Sequence, residues 1–153
     1  MAATPDFEEI LEGVVFRLAN VTNDFPQDAS KPLPSHFEPS TADKERSLAL
    51  GHPVLLSVFD RSRTTVAEAE ALRTTKKATA AFGLEVARVR ELGVPERPRA
   101  FRVLRDPLEA PQSEAPGADG HCGIEGLHRP TGESRRLYRA LRSQVADLAF
   151  RLA

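Results

Sequence analysis

The apolar and polar positions divide the chain into short segments of alternating character. Gly13-Val14-Val15-Phe16-Arg17-Leu18 is rich in β-branched and aromatic residues and predicts a strand. Pro53 to Asp60 is nearly apolar throughout, which predicts a strand covered on both faces. Ala100-Phe101-Arg102-Val103-Leu104-Arg105 alternates with a period of two and predicts another strand, and His121 to Leu127 predicts the last. Thr79 to Val86 suits a strand and Val86 to Leu92 a helix, with one helix from Thr65 to Leu92 as the competing reading. Phe82-Gly83-Leu84-Glu85-Val86 is weak helix material, which favours strand then helix.

Helical patterning is strongest at the C-terminal end. Leu137, Leu141, Val145, Leu148 and Leu152 form one apolar stripe, predicting a helix from Thr131 or Ser134 to about Leu152 that docks on the sheet. Thr41 to Leu50 predicts a helix with Thr41 as N-cap and Gly51 as its stop. Val66 to about Lys77 predicts another, capped by Thr64 or Thr65, and Asp6 to Glu12 suits a short helical turn. Two Pro-rich loops, 20–40 and 107–120, separate these elements; Phe25 and Phe37 are the natural anchors of the first. The expected fold is α+β: a single domain over 1–153, with a small mixed sheet and a C-terminal amphipathic helix packed on it.

Composition narrows the classes. With 41% hydrophobic and 28% charged residues, the 153-residue chain suits a globular protein. No apolar run approaches the ~18 residues of a membrane span. Met1 to Glu12 is acidic and lacks the features of a secretory signal, and a single cysteine cannot close an internal disulfide. A cytoplasmic location without membrane contact is therefore the expectation. The net charge of −1 conceals an acidic first part and a basic remainder, and 17 of the 21 basic residues are Arg. Such a distribution is either ordinary solvated surface or a face for an acidic partner or a phosphate backbone.

Reactive side chains gather in Gly117 to Gly132, which holds His121, His128 and the only cysteine, Cys122. An extended chain there sends His121 and Glu125 to one face and Cys122 to the other. His121 and Glu125 make an acid–base pair on that reading, and a hydrogen-bonded histidine in a Gly-rich packing strand on the other. No face collects the three or four ligands of a zinc site, so no metal is expected. The glycines follow neither dinucleotide-binding nor P-loop spacing, and no cofactor is called for. The turn Arg129-Pro130-Thr131-Gly132, with Arg135 and Arg136 nearby, is either an anion site at a helix N-terminus or an ordinary capped start. Arg135, Arg139 and Arg142 share one helical face, but no aromatic residues interleave them, so nucleic acid is not favoured. The order Arg17, Ser57, then Glu68 or Glu70 is similar to the order of functional residues in ADP-ribosyltransferase-like folds.

Taken together, Val15-Phe16-Arg17, Leu56-Ser57-Val58-Phe59-Asp60, Arg90-Glu91-Leu92-Gly93, Asp106-Pro107-Leu108 and His121-Cys122-Gly123-Ile124-Glu125-Gly126-Leu127 resemble a set of small bacterial proteins, some encoded near toxin, immunity or phage-defence genes. The resemblance spans about residues 14–128 and departs from the set in a longer Glu109–Gly120 insertion and at Cys122, where the set has Ala. It implies an interaction or effector role. The expected function is a protein-interaction component of such a system, binding a protein partner through Phe25, Phe37, Arg129, Arg135, Arg136 and Arg139. The alternative is a small transferase or hydrolase with His121 as acid/base, Glu125 or Glu68 as a second carboxylate and Arg17 fixing an anionic substrate.

Overall fold

A nearly apolar strand needs cover on both faces, and Leu55–Asp60 has it. The computed structural model describes residues 7–20, 31–72 and 79–152. Its strands are β1 (Glu9–Ile10), β2 (Val14–Asn20), β3 (Leu55–Asp60), β4 (Thr79–Glu85), β5 (Arg102–Arg105), β6 (His121–Glu125) and β7 (Phe150–Arg151). They form one sheet in the order β1-β5-β6-β3-β2-β4-β7. Every pairing in it is antiparallel, where a mixed sheet was expected. The helices are α1 (Thr41–Leu50), α2 (Val66–Ala71), α3 (Val86–Val89) and α4 (Arg135–Leu148). The α+β class and the C-terminal helix on the sheet are as the sequence predicts.

Residues paired across an antiparallel ladder share a face, so the register assigns each side chain. One face carries Val15, Leu56, Val58, Phe82, Leu84, Val103, Cys122 and Ile124. These pack with Tyr138, Leu141 and Val145 of α4 and with Phe37 in the main core. The other face carries Phe16, Leu18, Phe59 and Ala81, covered by Val66 and Ala69 of α2 and by Leu152. Ser57 and His121 belong to this second face.

Several boundaries differ from the sequence reading. The cap of α1 is Ser40, whose hydroxyl accepts from the Asp43 amide while the Asp43 carboxylate accepts from the Ser40 amide. Thr65 and Glu68 make the same reciprocal cap on α2. Instead of a helical turn, Glu9 and Ile10 form a strand against Leu104 and Val103. Asp6 lies outside the described residues, as do 73–78, onto which the predicted α2 extended. Strand then helix holds for β4 and α3, which excludes one helix from Thr65 to Leu92. The terminal helix begins after the Ser134 cap and stops at Leu148 rather than near Leu152. Phe150 and Arg151 then pair with β4, and the Phe150 ring lies so close over Gly83 that an added Cβ would be 2.6 Å from its Cζ.

Two ties hold α4 down. Lys31 Nζ donates to the carbonyls of Asp147 and Ala149 at 2.6 and 2.7 Å, placing a cation where the helix leaves its last acceptors unpaired. Gln144 clamps Gly93, accepting from its amide at 3.0 Å and donating to its carbonyl at 2.8 Å.

Gly123 lies beneath Leu55, and a Cβ there would come 2.5 Å from Leu55 Cβ. Gly123→Ala is therefore expected to destabilise the fold by about 1–3 kcal/mol through overpacking. A lowered urea midpoint at unchanged slope is the expected readout; an unchanged midpoint would show that Leu55 can move aside.

Candidate functional site

Strand alternation, register and one buried ion pair build a polar cluster on the second face. In the β3–β6 ladder Ser57 stands opposite Gly123 and Phe59 opposite His121. The Ser57 hydroxyl reaches diagonally along this face to His121, with Oγ 2.7 Å from Nε2. His121 Nδ1 lies 2.6 Å from the main-chain carbonyl of Asp106. A carbonyl can only accept, so Nδ1 carries the proton and Nε2 is left to accept from the serine hydroxyl. The Phe59 ring meets the imidazole edge-on at 5.4 Å and fixes its tilt.

The Asp106 carboxylate is 3.6 Å from Nδ1, outside hydrogen-bonding distance. Its partner is Arg46 of α1, whose Nε and Nη2 donate to it at 3.3 and 3.0 Å. Arg46 also donates to Glu109 at 2.7 Å and to the Pro107 carbonyl at 2.9 Å. Burial opposes the charge on Arg46, but the two carboxylates outweigh it and hold the guanidinium above its ordinary pKa. Asp106 and His121 are buried at 3% and 6% exposure, and Ser57 is partly exposed, so serine is the member open to solvent. Burial pushes the His121 pKa down, against the Asp106 carbonyl and carboxylate and with help from Arg46, and leaves the ring neutral at pH 7.

The expected catalytic residues fare differently. His121 is central. Glu125 shares its face, but it sits farther along β6 in a two-pronged pair with Arg102 at 2.8 and 3.0 Å. Arg17 is on the opposite face, since it registers with Phe82. There Nη1 donates to the Ser57 carbonyl at 2.8 Å and Nε to the His36 carbonyl at 2.8 Å. Arg17 thus braces the strand from behind and does not meet His121 in a pocket. Glu68 caps α2, and Glu70 is exposed on that helix.

Among the expected binding residues, Arg129, Arg135 and Arg139 line one groove together with Arg142, while Arg136 is exposed outside that lining. Phe37 is a core anchor, 1% exposed, so it offers no surface to a partner. Phe25 lies outside the described residues. Asp106 and Arg46 were not assigned roles from sequence. Asp106-Pro107 stood out as a motif, but nothing in the chain pointed to a helix arginine about sixty positions away. No group of three or more His, Cys, Asp or Glu among the described residues is arranged to hold a metal ion. No helix among them is long and apolar enough to cross a membrane. No protein-family model, curated protein or solved structure matches the chain.

Cys122 faces the core and its thiol donates to the Gly120 carbonyl at 3.3 Å. Burial pushes its pKa up to about 12, against the nearby Arg105 charge. Native protein is expected to resist an aromatic disulfide reagent at pH 8 and to release one thiol equivalent once denatured. Rapid reaction of the native form would contradict the assigned burial.

Proposed function

We propose that the protein is a small serine-dependent hydrolase or acyltransferase, with Ser57 as nucleophile and His121 as general base. The observation that supports this reading is the 2.7 Å contact between Ser57 Oγ and His121 Nε2, with the tautomer set by the Asp106 carbonyl behind the ring. As Ser57 Oγ attacks an acyl carbonyl, its proton passes to Nε2, and the resulting imidazolium returns it to the leaving group. Asp106 acts as a positioning residue through its main chain, and Arg46 holds Asp106 in place. Ser57, Asp106 and His121 come from three of the segments that carry the resemblance noted in the sequence.

A fluorophosphonate probe tests the reading, because it captures an activated serine without knowledge of the substrate. Labelling is expected at Ser57, abolished in Ser57→Ala and slowed about 10²–10⁴-fold in His121→Ala. Labelling that is absent from folded wild-type protein, or undiminished by His121→Ala, would overturn the assignment. The lowered pKa of His121 sets the pH dependence. Its neutral form persists in the folded protein below the ordinary 6.5, so the acid limb of the labelling rate should lie below that value. For stability the sign is the same: the contribution is full above about 6.5 and is lost as pH falls from there toward the folded value.

The second reading is a protein-interaction component of a toxin/immunity or phage-defence system. It is supported by Leu48 on α1, which is 87% exposed, with Leu50 on the same helix at 39%. A photo-crosslinker placed at position 48 should give a discrete adduct with a host protein. A blank result at that position withdraws the reading.

A further inference from the structure

On the face of the sheet opposite Ser57, α4 and the turn of 3₁₀-helix at Pro34–Phe37 enclose a groove of about 440 Å³. Among the described residues four arginines line it, Arg129, Arg135, Arg139 and Arg142, against one carboxylate, Glu38. Pro34 and Ser35 also line it. The helix supplies three of the four because positions 135, 139 and 142 fall on one face. Arg129 is held by its own bond to the Glu133 carbonyl at 3.0 Å.

Two of these cations lack the usual neutralising partner among the described residues. Among the described residues Arg135 and Arg139 have no carboxylate within ion-pair distance. Arg142 donates to the Leu127 carbonyl at 3.2 Å and lies 3.9 Å from Glu38, while its buried Nε has no hydrogen-bond partner among the described residues. Like charges gathered in a concavity repel unless an anion sits among them, and the walls focus their field. The groove also opens beside the first turn of a 14-residue helix, whose dipole adds to the positive potential.

The geometry points to a binding site for a diphosphate-bearing small molecule, a nucleoside diphosphate being the simplest class. Guanidinium forks match phosphoryl oxygens in pairs, and four of them suit two adjacent phosphoryl groups better than one. The volume falls within the range of small-ligand sites. A single-stranded nucleic acid would be read by aromatic stacking, and no aromatic side chain among the described residues lines the groove. This site is independent of the proposed serine chemistry, which lies across the sheet.

Isothermal titration with inorganic pyrophosphate and with a nucleoside diphosphate at low salt tests the assignment. Wild-type protein should bind both. The double variant Arg135→Glu/Arg139→Glu, at exposed positions that leave the core untouched, should weaken binding at least about tenfold. Arg136→Glu makes the same kind of charge change outside the lining and should leave binding nearly unaltered. Glu38→Gln, which removes the opposing carboxylate, should tighten it. Failure of wild-type protein to bind either ligand would overturn the proposal, as would equal losses in Arg136→Glu and the double variant. An oligonucleotide that binds and is not displaced by pyrophosphate would replace the small ligand with a nucleic-acid backbone.

Discussion

The register between β3 and β6 is the constraint on which the polar cluster depends. Ser57 and His121 meet only because Phe59 pairs with His121 and Ser57 with Gly123, which puts both polar side chains on one face. Slipping the ladder by one residue would send Ser57 to the face packed against α4. The register is in turn held by apolar demand on both sides. Leu56 and Val58 are buried beneath α4 while Phe59 packs with Phe16 and α2, so neither face tolerates exchange. Position of the hydroxyl is thus a by-product of core packing.

Asp106 divides its labour between main chain and side chain. Its carbonyl orients His121, and its carboxylate is committed to Arg46. A carboxylate bonded to Nδ1 would stabilise an imidazolium strongly. Here the nearer acceptor is a neutral carbonyl, and the carboxylate's field is partly cancelled by the guanidinium beside it. The arrangement therefore favours correct tautomer and orientation over charge stabilisation, consistent with a ring that burial keeps neutral. Removing Arg46 would leave Asp106 buried without its ion-pair partner, the costlier way to break such a pair.

Much of this was legible along the chain. β-Branched and aromatic content located β2, a nearly continuous apolar run β3 and period-two alternation β5, and an extended reading of β6 placed His121 and Glu125 on a shared face. The 4-4-3 portion of the leucine stripe located α4. What failed was structure defined by a partner rather than by its own pattern. Glu9–Ile10 is a strand only because β5 lies beside it, and Phe150–Arg151 only because Gly83 leaves room for an aromatic ring. The site shows the same division. His121 was evident from its segment, whereas its relation to Ser57 needed the strand register and its relation to Asp106 the path of the preceding loop. Arg17 was grouped with His121 because nothing along the chain shows that it registers with Phe82, on the opposite face from His121.

Arg17 has a mechanical consequence. One guanidinium grips the carbonyl of His36, next to the Pro34 and Ser35 wall of the arginine groove, and also the carbonyl of Ser57. The planar fork is rigid, so it behaves as a short strut through the sheet. One side chain thereby sets the spacing between the groove's wall and the strand that carries Ser57, so the two faces of the sheet share a single brace.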